Sequence, residues 1–442
     1  MLVRGVLRLT TFVGPVIVIL IVFLVFYDKV SLRLPSHRGK WSNSLSNMSW
    51  SDGEGDVSPS HNEIFSISTR SGKYFAIEFG DEEAMNPSII PHPTLADTWI
   101  IVAQHRRRSL ESSAWFAELV CEAKFKKGKL ACTRPPMILP IAATASDNCA
   151  GDLAYFAFNI GPHDARVFYG PQNAFAIYGS NSGYTCFGQW IQDFRMLVEW
   201  PVEPAVKSDF RLGTEIRRPT PFGAIEKNWF LFWDKDGDVY VHYDVSPRRS
   251  FARLNIDGTV GPDLAPLAAA GGDQNCMARL MPQVAETLES VHQATNSLSV
   301  TLCDRADLAC EPNDSNTFIM ALFQHKSFYY YHSVYEPYVM LFKRTEPFEV
   351  HGISSKPIWI HGRAKAGEAK RPVGKEFDEL DSWNQTEMLY VTSMSWKTHG
   401  QKYHGYLDDF LFIGFGVEDE RTGGIDVRAA DLVKNVELCS SF

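Results

Sequence analysis

Short apolar or alternating runs dominate the chain from about residue 64 to residue 436. Each run is four to six residues long and rich in β-branched or aromatic side chains, and Gly, Pro, Asn and Asp stand between the runs. This length and composition predict β-strands rather than helices. The runs lie at 98–103, 153–158, 174–178, 229–233, 239–243, 338–342, 388–392 and 410–413. A helical period is best developed at 274–291, where we expect one helix.

The spacing of the strand groups predicts how the strands are arranged. Asn86, Asp164, Glu226 and His292 each lie near the start of a group and are 62 to 78 residues apart, and further groups follow near 318–342 and 388–432. One simple β-sandwich does not accommodate this many strands, whereas small sheets repeated around an axis leave only short exposed sheet edges. We therefore expect an all-β, five-bladed β-propeller.

The N-terminus carries an uncharged stretch of 19 residues at 9–27. At about 1.5 Å per residue it spans a hydrocarbon layer of ~30 Å. A cleaved signal peptide is the alternative, but its apolar core is usually only roughly 7–15 residues long, and no small-residue cleavage site follows. The sequence thus predicts a cytoplasmic tail at 1–8, a signal-anchor transmembrane helix at 9–27, a flexible stem at 28–62 and a lumenal propeller domain at 63–442.

Composition narrows the class of partner. Hydrophobic residues make up 45% and charged residues 21% of the chain, which excludes a disordered protein. The net charge of −9 provides no basic field for a polyphosphate backbone, so we expect no nucleic-acid partner. Aromatic residues make up 13%, a bias that β-sheet proteins and carbohydrate binders share.

Cysteines and glycosylation sequons indicate the compartment. The eight cysteines form no C-x-x-C pair, which argues against a zinc or redox motif. Cys121/Cys132 and Cys303/Cys310 are close enough along the chain for disulfides that close short loops. The acceptor asparagines of three sequons are Asn47, Asn313 and Asn384. With the anchor, these features predict a single-pass type II membrane protein of the Golgi or ER with a lumenal catalytic domain.

Four segments carry a resemblance to a known family. Residues 161–167 (Gly-Pro-His-Asp-Ala-Arg-Val) resemble the Gly-x-Glu-Asp-Pro-Arg segment of the β-mannoside phosphorylases and the related β-1,2-mannosyltransferases. Residues 85–90 resemble the Asn-Pro opening of the first blade in five-bladed glycosidase-like propellers, and residues 226–229 resemble a third-blade Glu-Lys-Asn-Trp segment. Residues 415–419 loosely match a closing Tyr-Gly-x-x-Asp pattern.

The resemblance implies a catalytic role for Asp164. In the family, the matching carboxylic acid assists departure of the glycosidic oxygen through a substrate hydroxyl, while phosphate attacks the opposite face of the sugar. Arg166 would orient Asp164 or hold a phosphate oxygen, and a structural salt link is the alternative. His163 and Ala165 replace the family's Glu and Pro, so contacts to substrate and loop rigidity differ at this point.

Other side chains are candidates for substrate binding. The resemblance places Glu226 and Asn228 toward a central funnel, where they would bond sugar hydroxyls. Asn86 is a further candidate for a sugar contact, although Asn-Pro is also a common turn dipeptide. His292 opens the fourth strand group and can bond hydroxyls, with a structural role as the alternative.

Two carboxylates are candidates for a second catalytic acid or base. Glu336 lies in the segment 335–338 and Asp409 in the segment 406–409, and spacing alone does not choose between them.

Metal or nucleotide binding has weaker support. Residues 234–238 (Asp-Lys-Asp-Gly-Asp) contain the Asp-x-Asp of many metal-dependent transferases, yet Asp-Gly between two apolar runs is a strong hairpin-turn signal. The basic run 106–108 is a solvated loop or a phosphate contact. We expect no cofactor, and a divalent metal is not favoured.

Three functions are compatible with these features. The first is a membrane-anchored glycosyltransferase that forms or remodels mannosidic or related glycans from a sugar donor. The second is a phosphorylase or hydrolase of the same fold. The third is a glycan-binding propeller without catalysis, since fold alone does not determine function.

Overall fold

The structure is a computed structural model, and it describes residues 60–106, 115–201, 209–293, 295–371 and 382–441. The predicted tail, anchor, most of the stem and Asn47 lie outside the described residues. In the part of the chain that is described, no helix is long and apolar enough to cross a membrane.

Strands dominate the described residues, which confirms the prediction of an all-β protein. In chain order they are β1 (Asn62–Ile64), β2 (Phe75–Glu78), β3 (Ala84–Pro91), β4 (Trp99–His105), β5 (Glu118–Lys126), β6 (Lys129–Cys132), β7 (Met137–Ile138), β8 (His163–Tyr169), β9 (Ala174–Asn181), β10 (Phe187–Asp193), β11 (Thr214–Glu215), β12 (Phe230–Trp233), β13 (Val239–Asp244), β14 (Ser250–Arg253), β15 (Glu289–Gln293), β16 (Leu298–Thr301), β17 (Thr317–Tyr329), β18 (His332–Lys343), β19 (Val350–Ser354), β20 (Ile358–Ile360), β21 (Leu389–Trp396), β22 (His404–Tyr406), β23 (Phe410–Val417), β24 (Arg421–Arg428) and β25 (Val436–Leu438).

Antiparallel pairing gathers most of these strands into five successive groups along the chain. The groups are β3–β6, β8–β11, β12–β14, β15–β19, and β21, β23 and β24 with β2 beside them; β22 pairs in parallel with β16 of the fourth group. Within the fourth group, β15 and β16 both pair with β17. Because β2 pairs with β24 on one side and with β6 on the other, the N-terminal strand joins the last group to the first.

Five hydrophobic clusters lie between these groups in a cyclic order. Each of four clusters combines side chains from two consecutive groups, for example Val167 of the second group with Ile100 and Val102 of the first. The remaining cluster places Phe412 of the fifth group against Ile101 of the first. Burial of both faces explains why the strand segments read as nearly continuous apolar runs.

Two sequence predictions fail locally. Residues 153–158, predicted as a strand, belong to a 3-10 helix at Gly151–Phe158 that has no buried residue, because this apolar run has no partner strand. The expected helix at 274–291 is shorter, since α2 (Gln274–Leu280) ends just before Met281 adopts the extended backbone that the following proline favours. The other α-helices are α1 (Ala265–Ala268) and α3 (Ala429–Val433).

All eight cysteines form disulfides. The two short-range pairs that the sequence predicts, Cys121–Cys132 and Cys303–Cys310, are confirmed. The remaining pairs are Cys149–Cys186 and Cys276–Cys439, the second of which ties α2 to the C-terminus.

Candidate active site

Three polar residues in an uncommon backbone conformation lie at or just before the starts of β3, β8 and β12. Asn86, Asp164 and Asn228 have φ angles of 56°, 50° and 65°. Among non-glycine residues, Asn and Asp tolerate this left-handed region best, and such residues cluster at functional sites. The strand register shifts at Asn86 and at Asp164. Because β3, β8 and β21 pack against one another, these strand starts come together.

The side chain and backbone of Asp164 are both held by neighbours. Asn86 Nδ2 donates to Asp164 Oδ1 at 2.7 Å. The Asp164 backbone N–H donates to Gln104 Oε1, and the next N–H, that of Ala165, donates to Glu118 Oε1, each at 3.1 Å. Strands β4 and β5 thus fix the backbone that carries the Asp164 side chain.

Glu118 lies behind this arrangement. Its side chain is fully buried, and burial together with the charge of Asp164 holds its pKa well above the usual range, against the opposing hydrogen bond from Ala165. These surroundings disfavour a second negative charge behind Asp164.

Arg166 and His163 flank Asp164 on β8. The buried Arg166 guanidinium donates to Gln189 Oε1 at 3.2 Å and to the Trp229 carbonyl at 2.8 Å. The His163 ring lies 3.9 Å from the Phe116 ring, and burial lowers its pKa to about 4. His163 is thus a neutral side chain, unlike the acidic residue of the family that the sequence resembles.

Cationic side chains gather on another side of the same centre. Burial and the charge of Lys227 lower the pKa of Lys326. Burial and the charges of both lysines lower the pKa of His292 to about 4. Neither lysine has an ion-pair partner among the residues that the structure describes. The charge of Asp419 acts on Lys326 but no carboxylate lies within ion-pair distance of either lysine in the described residues, and adjacent cations in such a setting favour binding of an anion.

Asp419 is a second carboxylate of this centre. Burial, and after it the charge of Asp164, raise its pKa, while Lys326 and Arg106 oppose the change. It has a φ of 49° and follows β23 in the short turn to β24. The sequence pattern at 415–419 ends in this Asp and could have indicated it. The predicted candidates for a second carboxylate were Glu336 and Asp409 instead.

Two tyrosines that the sequence analysis did not select complete the centre. The Tyr390 hydroxyl donates to Asn228 Oδ1 at 3.3 Å, and the Tyr390 ring centre lies 4.8 Å from that of Tyr335. Burial is the main cause that raises the pKa of both phenols, and the charge of Asp164 raises both further. Both remain protonated donors at neutral pH.

A small cavity of about 50 Å³ opens beside Asp164. Polar side chains in its lining are His163, Asp164, Arg166, Lys227 and Asn228. The space is the size of one small polar group, and its lining combines one carboxylate, Asp164, with two cations, Arg166 and Lys227.

The predicted site residues Glu226, Glu336 and Asp409 each form an ion pair with an arginine. Glu226 accepts from Arg218 Nη1 at 3.0 Å and from the Gly223 N–H at 2.5 Å. Glu336 accepts from Arg363 Nη1 at 3.0 Å.

Asp409 lies apart from Asp164. It accepts from Arg305 Nη2 at 2.5 Å and from the Tyr406 N–H at 2.8 Å, and it lines a separate cavity with the turn at 234–238. The structure therefore brings Asn86, Arg166, Asn228 and His292 toward Asp164 but gives Glu226, Glu336 and Asp409 other partners. The roles of all these residues remain predictions.

The Asp-x-Asp segment forms the hairpin turn that its Asp-Gly dipeptide predicts. Asp234 Oδ1 accepts from the backbone N–H groups of Asp236 and Asp238, both at 2.9 Å, between β12 and β13. The described residues contain no group of three or more His, Cys, Asp or Glu side chains placed to hold a metal ion.

Comparisons with known proteins give distant likenesses of structure. No family model matches the chain, and no curated protein matches by sequence. A β-1,2-mannobiose phosphorylase from Listeria innocua aligns over 82% of this chain and 92% of its own, with 10% identity and a TM-score of 0.43. A mannose phosphorylase from Leishmania mexicana aligns over 80% and 88%, with 11% identity and a TM-score of 0.41.

A GDP-Man-dependent mannosyltransferase from Leishmania mexicana aligns over 80% of this chain and 88% of its own, with 10% identity and a TM-score of 0.37. At this level of similarity, the activities of these proteins do not transfer to the present chain. The geometry around Asp164 has to carry the functional argument.

Proposed function

We propose that this protein is a glycosyl-transferring enzyme that acts on mannosidic or related glycans, with Asp164 as its acid/base. The observation that carries the proposal is the Asp164 carboxylate, oriented by Asn86 at 2.7 Å and placed beside the Lys227 ammonium, for which the described residues offer no ion-pair partner. Transfer from a sugar phosphate needs both parts, a base for the acceptor hydroxyl and positive charge for the departing phosphate.

The geometry suggests how the charges change during transfer. Asp164 takes the proton of an acceptor hydroxyl, directly or through a substrate hydroxyl, as that oxygen bonds to the anomeric carbon of the donor. The bond from the anomeric carbon to the phosphate oxygen breaks, and the electron pair leaves with the phosphate. Lys227 and Lys326 stabilise the negative charge that develops there. Asn86 keeps the carboxylate aimed throughout.

Asp419 is the proposed partner carboxylate of Asp164. Burial, and after it the charge of Asp164, raise the pKa of Asp419, which favours the protonated form of this second carboxyl. Glu336 and Asp409, the earlier candidates for this role, are neutralised by arginines and are better suited to holding the fold.

Phosphorolysis or hydrolysis is the second candidate reaction. The small cavity beside Arg166 and Lys227 favours it, because about 50 Å³ accommodates a single small group rather than a nucleotide. In this direction Asp164 returns its proton to the departing glycosidic oxygen while phosphate or water attacks the anomeric carbon.

The strand groups form the scaffold of the proposed enzyme. We infer that the five groups are five blades around one axis. Two observations support this inference: the cyclic order of the hydrophobic clusters and the bridging of the last group to the first by β2. The ends of the innermost strands then meet at the axis, which is where Asn86, Asp164 and Asn228 lie.

We further propose that the domain is anchored by residues 9–27 and faces the lumen of the Golgi or ER. The uncharged N-terminal stretch supports the anchor, and four disulfides support an oxidising compartment. Asn313 and Asn384 are exposed, as glycosylation requires.

A donor comparison tests the reaction class. Full-length protein in detergent is incubated with a mannan oligosaccharide and either GDP-mannose or mannose 1-phosphate, and products are followed by mass. Extension with GDP-mannose supports the transferase, and extension only with mannose 1-phosphate supports phosphorylase chemistry. Release of mannose from the oligosaccharide without phosphate supports a hydrolase. Glycan binding with no turnover under any of these conditions contradicts an enzyme and favours a glycan-binding propeller.

A further inference from the structure

The hairpin formed by β17 and β18 carries four exposed aromatic residues at its end. Its twelve residue pairs run from Phe318 opposite Lys343 to Tyr329 opposite His332. The first half of β17 is buried, whereas residues 328–331 are 37%, 42%, 52% and 71% exposed. We call residues 328–331 the aromatic tip. Exposed patches of apolar side chains often mark the binding site of a ligand or of another protein.

The backbone of the aromatic tip conflicts with its sequence. Tyr330 and Tyr331 form the two-residue turn, and Tyr330 has a φ of 54°. Turns of this kind favour Asn-Gly, and the left-handed region costs an ordinary residue roughly 1–2 kcal/mol. The Tyr330 side chain remains half exposed, so burial does not offset this cost. An unfavourable backbone angle at a residue whose side chain is not buried is typical of a functional segment.

Aromatic rings connect the tip with the proposed catalytic centre. Lys326 stands opposite Tyr335 in the hairpin, and Phe328 lies two residues further on the same face. The Lys326 ammonium is 5.8 Å from the Phe328 ring centre and 5.7 Å from that of Tyr335. Tyr335 is in turn 4.8 Å from Tyr390, which contacts Asn228 beside Asp164.

We propose that the aromatic tip binds the acceptor oligosaccharide at sugar units beyond the one that reacts. This inference rests on the proposed function. Aromatic faces pack against the apolar faces of sugar rings, and the tyrosine hydroxyls bond sugar hydroxyls. At ~3.3 Å per residue, the distance along the strand from Tyr335 to the tip is roughly 13–16 Å. An acceptor that reaches both the tip and Asp164 is therefore an oligosaccharide, not a monosaccharide.

Kinetics with acceptors of different length test the proposal. In full-length protein, Tyr331→Ala is expected to raise KM for a mannan oligosaccharide about 3- to 10-fold, in line with one aromatic contact. Turnover with mannose as acceptor stays unchanged. Leu308→Ala, which removes a fully exposed apolar side chain between β16 and β17, is the control and leaves both values unchanged.

Tyr330→Gly separates binding from folding. Glycine suits the positive φ of this position, so the melting temperature is expected to stay equal or rise, whereas KM for the oligosaccharide rises as in Tyr331→Ala. A variant that is at least as stable but binds the acceptor less well excludes a purely structural role.

Several outcomes would overturn the proposal. Unchanged KM for the oligosaccharide in both variants is one, and an equal loss with mannose is another. If sedimentation shows that the variants convert a dimer to a monomer without changing KM, the aromatic tip is a protein interface instead.

Binding separates this proposal from the proposed function. Calorimetry measures binding of the mannan oligosaccharide to full-length Asp164→Asn with and without Tyr331→Ala. If wild-type protein shows no turnover but Tyr331→Ala weakens binding, the proposed function fails and the tip assignment stands. If turnover is normal and binding is independent of Tyr331, only the tip assignment fails.

Discussion

At the scale of single residues, the candidate site depends on how its charges are held. The Asp164 carboxylate accepts from Asn86, its backbone N–H donates to Gln104, and the next N–H, that of Ala165, donates to Glu118. Lys227 and Lys326 face the same centre without ionic partners in the described part of the chain. Buried neighbours thus fix the position of Asp164, while the charges of the two lysines remain available for a substrate.

The hydrogen bond from Asn86 to Asp164 can be removed without backbone strain. Asn86→Gly keeps a residue that tolerates a φ of 56° but deletes the amide. We expect kcat to fall about 10- to 100-fold, as for loss of one orienting hydrogen bond near the reacting atoms, with little change in KM. Steady-state kinetics check this, and circular dichroism melting verifies the fold. An unchanged kcat would contradict the orienting role.

The two lysines are expected to act on the donor. Lys227→Gln and Lys326→Gln each remove one positive charge and should raise the donor KM about 10-fold or lower kcat to a similar degree. Each substitution should also weaken inhibition by inorganic phosphate. Lys235→Gln, at the hairpin turn between β12 and β13, is the matched control. Equal phosphate inhibition in all three variants would exclude the anion site.

Glu418 predicts a pH dependence of stability. Burial raises its pKa from 4.5 to about 7, and Oε2 lies 3.1 Å from Nε2 of His332, whose own pKa burial lowers. The two side chains share a hydrogen bond whose donor is the group that carries the proton. The folded state binds the Glu418 proton more tightly than the unfolded state does. The contribution of this proton to the free energy of unfolding is therefore complete below pH 4.5, and up to about 3 kcal/mol of it is lost as the pH rises to about 7.

Glu418→Gln tests this effect. The amide keeps the hydrogen bonds to His332 and to the Met388 N–H but does not titrate. Urea unfolding between pH 4.5 and 8 should show a shallower fall in the free energy of unfolding for the variant. Parallel curves for both proteins would mean that Glu418 is not the titrating group.

At the scale of elements, glycines allow strands of different groups to approach the site. Gly416 of β23 lies directly against the Asn86 side chain, and a Cβ there would overlap Asn86 Oδ1. The fifth strand group thus positions the first, although neither residue is near the other in sequence.

Gly416→Ala is expected to displace Asn86 and through it Asp164. We predict a loss of kcat comparable to that of Asn86→Gly, together with a destabilisation of about 1–3 kcal/mol from overpacking. The double variant Gly416→Ala/Asn86→Gly should lose little more activity than either single one, since both act on one contact. Additive losses in kcat would show that Gly416 acts elsewhere.

Local sequence patterns predicted the secondary-structure elements better than they predicted which strands and which charged side chains pair with one another. The runs at 229–233 and 239–243 become β12 and β13 joined at Asp-Gly, because the strand period and turn chemistry agree. The run at 153–158 is as apolar but has no partner strand, which no local pattern records. Long-range pairing likewise decided that Arg363 neutralises Glu336 and that Arg305 neutralises Asp409.

At the scale of the whole molecule, the cyclic packing order brings distant segments to one centre. Asn86, Asp164, Asn228, Tyr390 and Asp419 come from four of the five strand groups or the segments that enter them. The sequence resemblance pointed to Asp164 and to the segments around it. It did not show which other side chains the packing would bring there, such as the two lysines.

The central claim is that Asp164 performs acid/base chemistry in glycosyl transfer. Its most direct test is the rate of oligosaccharide extension by full-length Asp164→Asn, with Asp236→Asn at the exposed hairpin turn as the matched control. Our account predicts that Asp164→Asn loses at least about 100-fold in kcat while keeping its melting temperature and its affinity for the oligosaccharide. Wild-type turnover in Asp164→Asn would contradict it.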